Sequence, residues 1–150
     1  ISSSVEKFDD KLLSFIFDLE ETMRAGPPSV GIAAPQVGHF ERIIIVDVSS
    51  KPKIPNHGRL TLINPNILCK QGSMVGREGC LSVPEYTGNV SRAEKITLQA
   101  FNKEGRSLSY TMEGFEARAV QHEIDHLDGL LFLDRLVSRR SSLFIRKVYK

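Results

Sequence analysis

Between residues 9 and 24, Leu12, Phe15, Ile16, Leu19 and Met23 recur at three- and four-residue steps. That period is helical, so the segment is predicted to be an amphipathic helix with one buried stripe. Gly26-Pro27-Pro28 ends it, because proline offers no N–H and disfavours helix at the residue before it. Over residues 42–48 the pattern becomes a continuous Ile/Val run, the mark of a buried strand. Residues 51–58 carry two prolines and a glycine and read as loop. Residues 60–69 read as a second strand, interrupted near Asn64-Pro65. Residues 96–101 and 107–112 flank Asn102-Lys103-Glu104-Gly105, which predicts a hairpin. A central helix follows over residues 114–128, with Phe115, Ala119, His122 and His126 on one side and Gly129 as its C-cap. Ser138 is placed as the N-cap of a short final helix carrying Leu143, Phe144 and Val148.

This order predicts an α+β fold: mostly antiparallel sheets wrapped around the central helix, with a further N-terminal helix and a short C-terminal helix. At 150 residues, with 41% hydrophobic and 25% charged, the chain fits a single globular domain, residues 1–150. It begins with Ile1, from which the natural N-terminus is expected to be missing. No apolar run reaches the length of a membrane-spanning helix. The net charge of +2 is too small to argue for nucleic acid binding, and no specific DNA partner is expected. Its distribution is uneven: Arg139, Arg140, Arg146, Lys147 and Lys150 cluster near the end with no acid among them. Two cysteines do not make a disulfide framework. Cys69 lies in an apolar run and reads as a small packed thiol.

The chemistry centres on His122-Glu123-Ile124-Asp125-His126. Positions four apart share a helix face, so both imidazoles can bind one metal, and Glu123 can reach water held there. A catalytic tetrahedral site needs a third protein ligand and an open position. Zinc endopeptidases with this motif usually take the third ligand downstream as Glu or His, but after His126 the chain has neither. The best remaining candidate is Cys80, whose thiolate is a soft ligand for zinc or ferrous iron, beside Gly79. A third segment, Val30-Gly31-Ile32-Ala33-Ala34-Pro35-Gln36, has small residues that admit close backbone approach. Its Gln36 amide can tie down a loop or donate to a developing oxyanion.

Together these segments resemble the peptide deformylase family. That family's signature is Gly-x-Gly-x-Ala-Ala-x-Gln, then Glu-Gly-Cys-Leu-Ser, then Gln-His-Glu-x-Asp-His. The second stands intact at residues 78–82 and the third at residues 121–126. The first matches from Gly31 to Gln36, with Ser29 in place of its opening glycine. The resemblance covers about residues 8–137, and the family's first strand is largely missing. It implies a metal-dependent hydrolase that removes the N-formyl group from the N-terminal methionine of newly made polypeptides and releases formate. On this resemblance, water activated by the metal and Glu123 would attack the formyl carbon, and Glu123 would then protonate the leaving amine. Metal, Gln36 and the Leu81 N–H would hold the oxyanion. The metal so implied is ferrous iron, with zinc, nickel or cobalt as substitutes, held by Cys80, His122 and His126.

The resemblance further implies an extended peptide lying beside Val30-Gly31 and Gly79. The methionine pocket takes in Val30, Leu81, Phe115, Ala119 and the edge of His122, with Arg118 facing it. Behind the ligands, the resemblance implies an ion pair between Glu78 and Arg92. The implied location is bacterial cytoplasm or an organelle. The basic C-terminal segment itself reads either as a solvated helix face or as a phosphate-seeking patch for ribosome contact. Two other readings share parts of the pattern: a zinc metallopeptidase, which the absence of a downstream ligand disfavours, and a non-catalytic binder of modified N-termini, which the presence of Glu123 disfavours.

Overall fold

A computed structural model describes residues 1–26, 29–50, 56–80, 83–131, 136 and 143–145, with the side chains of 83–86 and 143–145 left aside. Helix α1 is Asp10–Ala25, and Asp9 caps it by accepting from the Leu12 N–H. The strands are β1 Gly31–Ala33, β2 Ile43–Val46, β3 Leu60–Gln71, β4 Met74–Cys80, β5 Val83–Arg92, β6 Lys95–Phe101 and β7 Ser107–Glu113. Helix α2, Gly114–Leu127, follows, and β8 is Leu143–Ile145. A 3-10 turn, Ala34–Val37, joins β1 to the strands beyond it.

Two antiparallel sheets form. One has five strands in the order β1-β2-β3-β6-β7, and the other has three in the order β4-β5-β8. The run Ile43-Ile44-Ile45-Val46 in β2 is fully buried because both faces of the larger sheet are covered. Ile44 and Val46 join the core with Val120, Ile124 and Leu127 of α2. Ile43 and Ile45 join the core with Leu12, Ile16 and Leu19 of α1. The helical stripe of the sequence is therefore the face that closes this second core. Phe15 and Met23 pack against it partly buried.

β4 reverses the usual alternation. Met74, Gly76, Glu78 and Cys80 face inward, while Val75, Arg77 and Gly79 are the more exposed positions. The inward face carries a carboxylate and a thiol because it meets α2, which itself buries Glu116, Arg118, Gln121, Glu123, Asp125 and His126. Gln121 ties the helix to the sheet, donating to Ala93 O (2.9 Å) and accepting from Ala93 N (3.1 Å). The helix ends at Leu127 with Asp128 as its cap, one residue before the expected end. Gly129 follows at φ 78°, and the bonds Gly129 N to His126 O and Leu130 N to Asp125 O close a Schellman turn.

Two expectations are corrected, and a third is refined. The interruption expected near Asn64-Pro65 is a break in pairing within one strand: β3 runs Leu60–Gln71, with register shifts between Ile63 and Asn66 and between Ile67 and Cys69. Asn64 takes φ 50° there and pins the N-terminal segment by bonding both Val5 N and Val5 O. Those shifts disturb the in–out alternation, and Cys69 is exposed rather than packed. Finally, Leu143 and Phe144 lie in a strand, not a helix. β8 pairs antiparallel with β5, Phe144 opposite Thr87, and an edge offering free backbone groups outweighs a three-residue helical pattern. Ser138, Val148 and the basic residues 139, 140, 146, 147 and 150 lie outside the described residues.

Candidate metal centre and active site

One helical turn separates His122 and His126, and α2 turns both rings to the same side, centroids 5.0 Å apart at 74°. β4 ends at Cys80 against them. The donor atoms of Cys80, His122 and His126 all lie within 4.8 Å of one another, with Cys80 Sγ 3.2 Å from His126 Nε2. Thus a hairpin strand and a helix, 42 residues apart at their closest ligands Cys80 and His122, assemble a soft-and-borderline donor set suited to one divalent cation.

Behind the ligands lies a buried charge cluster. His122 Nδ1 donates to Glu78 Oε1 (2.8 Å), which leaves Nε2 as the nitrogen available to a metal. Arg92 grips Glu78 with two donors, Nε to Oε2 (3.0 Å) and Nη2 to Oε1 (2.9 Å), and reaches Asp125 with Nη1. Burial pushes the Glu78 carboxyl up, but His122 and Arg92 more than offset that and bring it down to about 2. Burial also disfavours the Arg92 charge, yet Glu78 and Asp125 raise its pKa above the ordinary value. For His122 burial pulls down, while Cys80, Glu78 and Glu123 push up to about 10. Surroundings that hold a proton so firmly favour positive charge at this ring, and a cation at its Nε2 meets the same field.

Glu123 is 5% exposed, and its Oε1 is the buried side-chain oxygen with no hydrogen-bond partner among the described residues. His126 Nε2 is 3.8 Å from that oxygen. Burial lifts the carboxyl to about 7, against the pull of His122 and His126 and with the push of Cys80 and Glu78. An orphaned carboxylate oxygen beside three metal-type donors fits a group that exchanges a proton with a molecule bound there.

Gln36 sits in the 3-10 turn with its Oε1 accepting from Ala33 N (2.8 Å). That bond fixes the amide so that Nε2 points at Cys80 Sγ, 3.5 Å away. Gly31 lies directly against the Glu123 side chain. Ala119 belongs to the core beside α2, and Val30 and Phe115 pack partly buried against that same cluster. Leu81 lies outside the described residues. Arg118 does not line that apolar group. It is 4% exposed, and its guanidinium donates to Glu78 Oε2, to Val90 O (3.1 Å) and to Met74 O (2.7 Å). Asp125, to which the sequence reading gave no role, is the second carboxylate on Arg92. Its adjacency to His126 was a visible signal, but the identity of its cation was not.

A profile of the polypeptide deformylase family matches residues 1–142. The chain is 41% identical over 146 residues to a peptide deformylase of Syntrophobacter fumaroxidans, covering 97% of this chain and 84% of that one. It superposes on the crystal structure of a peptide deformylase from Legionella pneumophila with a TM-score of 0.83 at 39% identity, covering 93% and 81% of the two chains. It is also similar to a class I type b peptide deformylase from Acinetobacter baumannii solved with Met-Ala-Ser bound, with a TM-score of 0.80, 39% identity and 90% of each chain.

Proposed function

The chain belongs to the polypeptide deformylase family, and from that premise we propose how its residues divide the work of deformylation. The activity is that of a peptide deformylase, a metal-dependent hydrolase that releases formate from N-formyl-methionyl peptides. One domain, both sheets around α2, carries it.

Cys80, His122 and His126 would hold a single divalent cation, which would supply Lewis acidity toward water and the formyl oxygen. The native metal is ferrous iron, which a thiolate with two imidazoles accommodates, as it does zinc, nickel or cobalt. Glu123 Oε1 takes the proton of the attacking water and delivers it to the departing amine nitrogen. The C–N bond breaks, leaving formate and a free N-terminus. Gln36 Nε2 and the Leu81 N–H donate to the oxyanion, and the engaged Gln36 Oε1 supports the donor role of that amide.

The peptide lies extended between the two sheets. What supports this is that β1 and β4, which carry Gly31 and Gly79, are edge strands of their sheets among the described residues. Such pairing reads backbone and tolerates sequence. The methionine side chain meets Val30, Phe115, Ala119 and Leu81, beside the edge of His122. Arg118 is withdrawn from the substrate pocket because its donors are taken by Glu78 and two backbone carbonyls.

The setting is bacterial cytoplasm, in keeping with bacterial relatives. Arg139, Arg140, Arg146, Lys147 and Lys150 give the C-terminal segment a phosphate-seeking character that suits rRNA. Unchanged ribosome binding after truncation at Ser138, at low and moderate salt alike, would remove that partner.

The observation that carries the mechanism is the orphaned Glu123 Oε1 beside the Cys80, His122 and His126 donors. The test is formate release from a formyl-Met tripeptide by protein purified without oxygen, with its metal assayed. Stoichiometric iron and formate release, with no cleavage of the unformylated tripeptide, are expected. Cleavage of internal peptide bonds would return the metallopeptidase reading.

A further inference from the structure

Arg118 stands one helical turn before His122 on α2, a spacing that directs it toward the metal side of the helix. Its guanidinium is spent elsewhere. Nη1 bonds Glu78 Oε2 and Val90 O, and Nη2 bonds Met74 O, so three anchors on β4 and β5 hold it. β4 is shaped to receive it. A Cβ at Gly76 would stand 3.0 Å from both Cζ and Nε of Arg118, so the guanidinium packs close against the strand at this glycine, and a larger residue there would displace it.

Glu78 and Asp125 are two buried carboxylates, 7% and 6% exposed, and Arg92 is shared between both. A buried carboxylate needs well-placed donors to offset its desolvation. Arg118 supplies a further cation, and it binds Glu78, the carboxylate that holds His122 Nδ1. With Glu78 gripped from one side by Arg92 and from the other by Arg118, its Oε1 stays on His122, and the ring's Nε2 stays turned to the metal.

We propose that Arg118 is a positioning residue of the metal centre, fixing the His122 ring through Glu78 rather than serving the methionine pocket. This rests on the deformylase reading of the site. The test uses the cobalt-loaded enzyme and three variants: Arg118→Met, Arg118→Lys and Gly76→Ala. The readouts are the cobalt d–d spectrum, cobalt affinity by chelator competition, and kcat and KM on formyl-Met and formyl-Ala peptides.

Arg118→Met is expected to change the spectrum, weaken cobalt binding by about 10–100-fold and lower kcat, with Met-over-Ala selectivity unchanged. Arg118→Lys keeps the charge but loses the three-point grip, so it recovers part of the affinity. Gly76→Ala touches neither a ligand nor Glu78, yet shifts the spectrum in the same direction. An unaltered spectrum and affinity in folded Arg118→Met, or a loss confined to KM and selectivity, overturns the proposal. Should Arg118→Met fail to fold, wild-type spectra in both other variants overturn it instead. A wild-type enzyme that releases no formate would refute the deformylase reading, while the cobalt comparison would still decide the role of Arg118.

Discussion

A Cβ on Gly31 would stand 2.6 Å from Glu123 Oε2 and 2.9 Å from its Cγ. The strand that borders the cleft is thus also the wall against which the buried carboxylate rests. No backbone strain is involved; the requirement is for space alone. Gly31→Ala should push Glu123 off its position and lower kcat by roughly 10²-fold, the scale of an ångström-sized misplacement, with metal content retained. Turnover within a factor of two of wild type, in metal-loaded protein, would show that Glu123 does not depend on this contact.

Glu116 and His57 form a second buried arrangement at the start of α2. Glu116 is 1% exposed, and its two oxygens accept from His57 N and His57 Nδ1, each at 2.7 Å. Removing the imidazole leaves a buried carboxylate half-satisfied. His57→Ala should cost about 1–3 kcal/mol in denaturant unfolding, and pairing it with Glu116→Leu should recover much of that. Additive losses in the double variant would mean the two side chains are not coupled.

Acid sensitivity follows from Glu78. Its folded pKa of about 2 lies below the ordinary 4.5, so its contribution is full above 4.5 and is lost as pH falls toward 2. Glu123 and His122 are shifted upward and titrate outside that window. Chelator-treated wild type should therefore lose on the order of a few kcal/mol between pH 4.5 and 2. Glu78→Gln should start less stable and show a shallower slope there. Equal slopes would contradict the role given to the His122 and Arg92 bonds.

The sequence carried what depends on local periodicity. The α1 stripe, the β2 run and the four-residue spacing of His122 and His126 are each visible within a few turns or residues. What it hid depends on partners. β4 was missed because its inward face bears Glu78 and Cys80 and so inverts the expected alternation. The exposure of Cys69 follows from register shifts at Asn64 and beyond, which no composition reports. Leu143 and Phe144 became strand because β5 offered an edge. Arg118 was assigned to the cleft by the family resemblance, and only the position of Glu78 across the interface shows where its donors go.

Glu123→Gln tests the central claim most directly, because it keeps the shape of the side chain and removes its capacity to carry a proton from water to amine. Metal content and formate release from a formyl-Met peptide are measured on the same sample. The account predicts full metal occupancy with turnover reduced by about 10²–10⁴-fold. Near-wild-type turnover in a metal-loaded Glu123→Gln enzyme would contradict it.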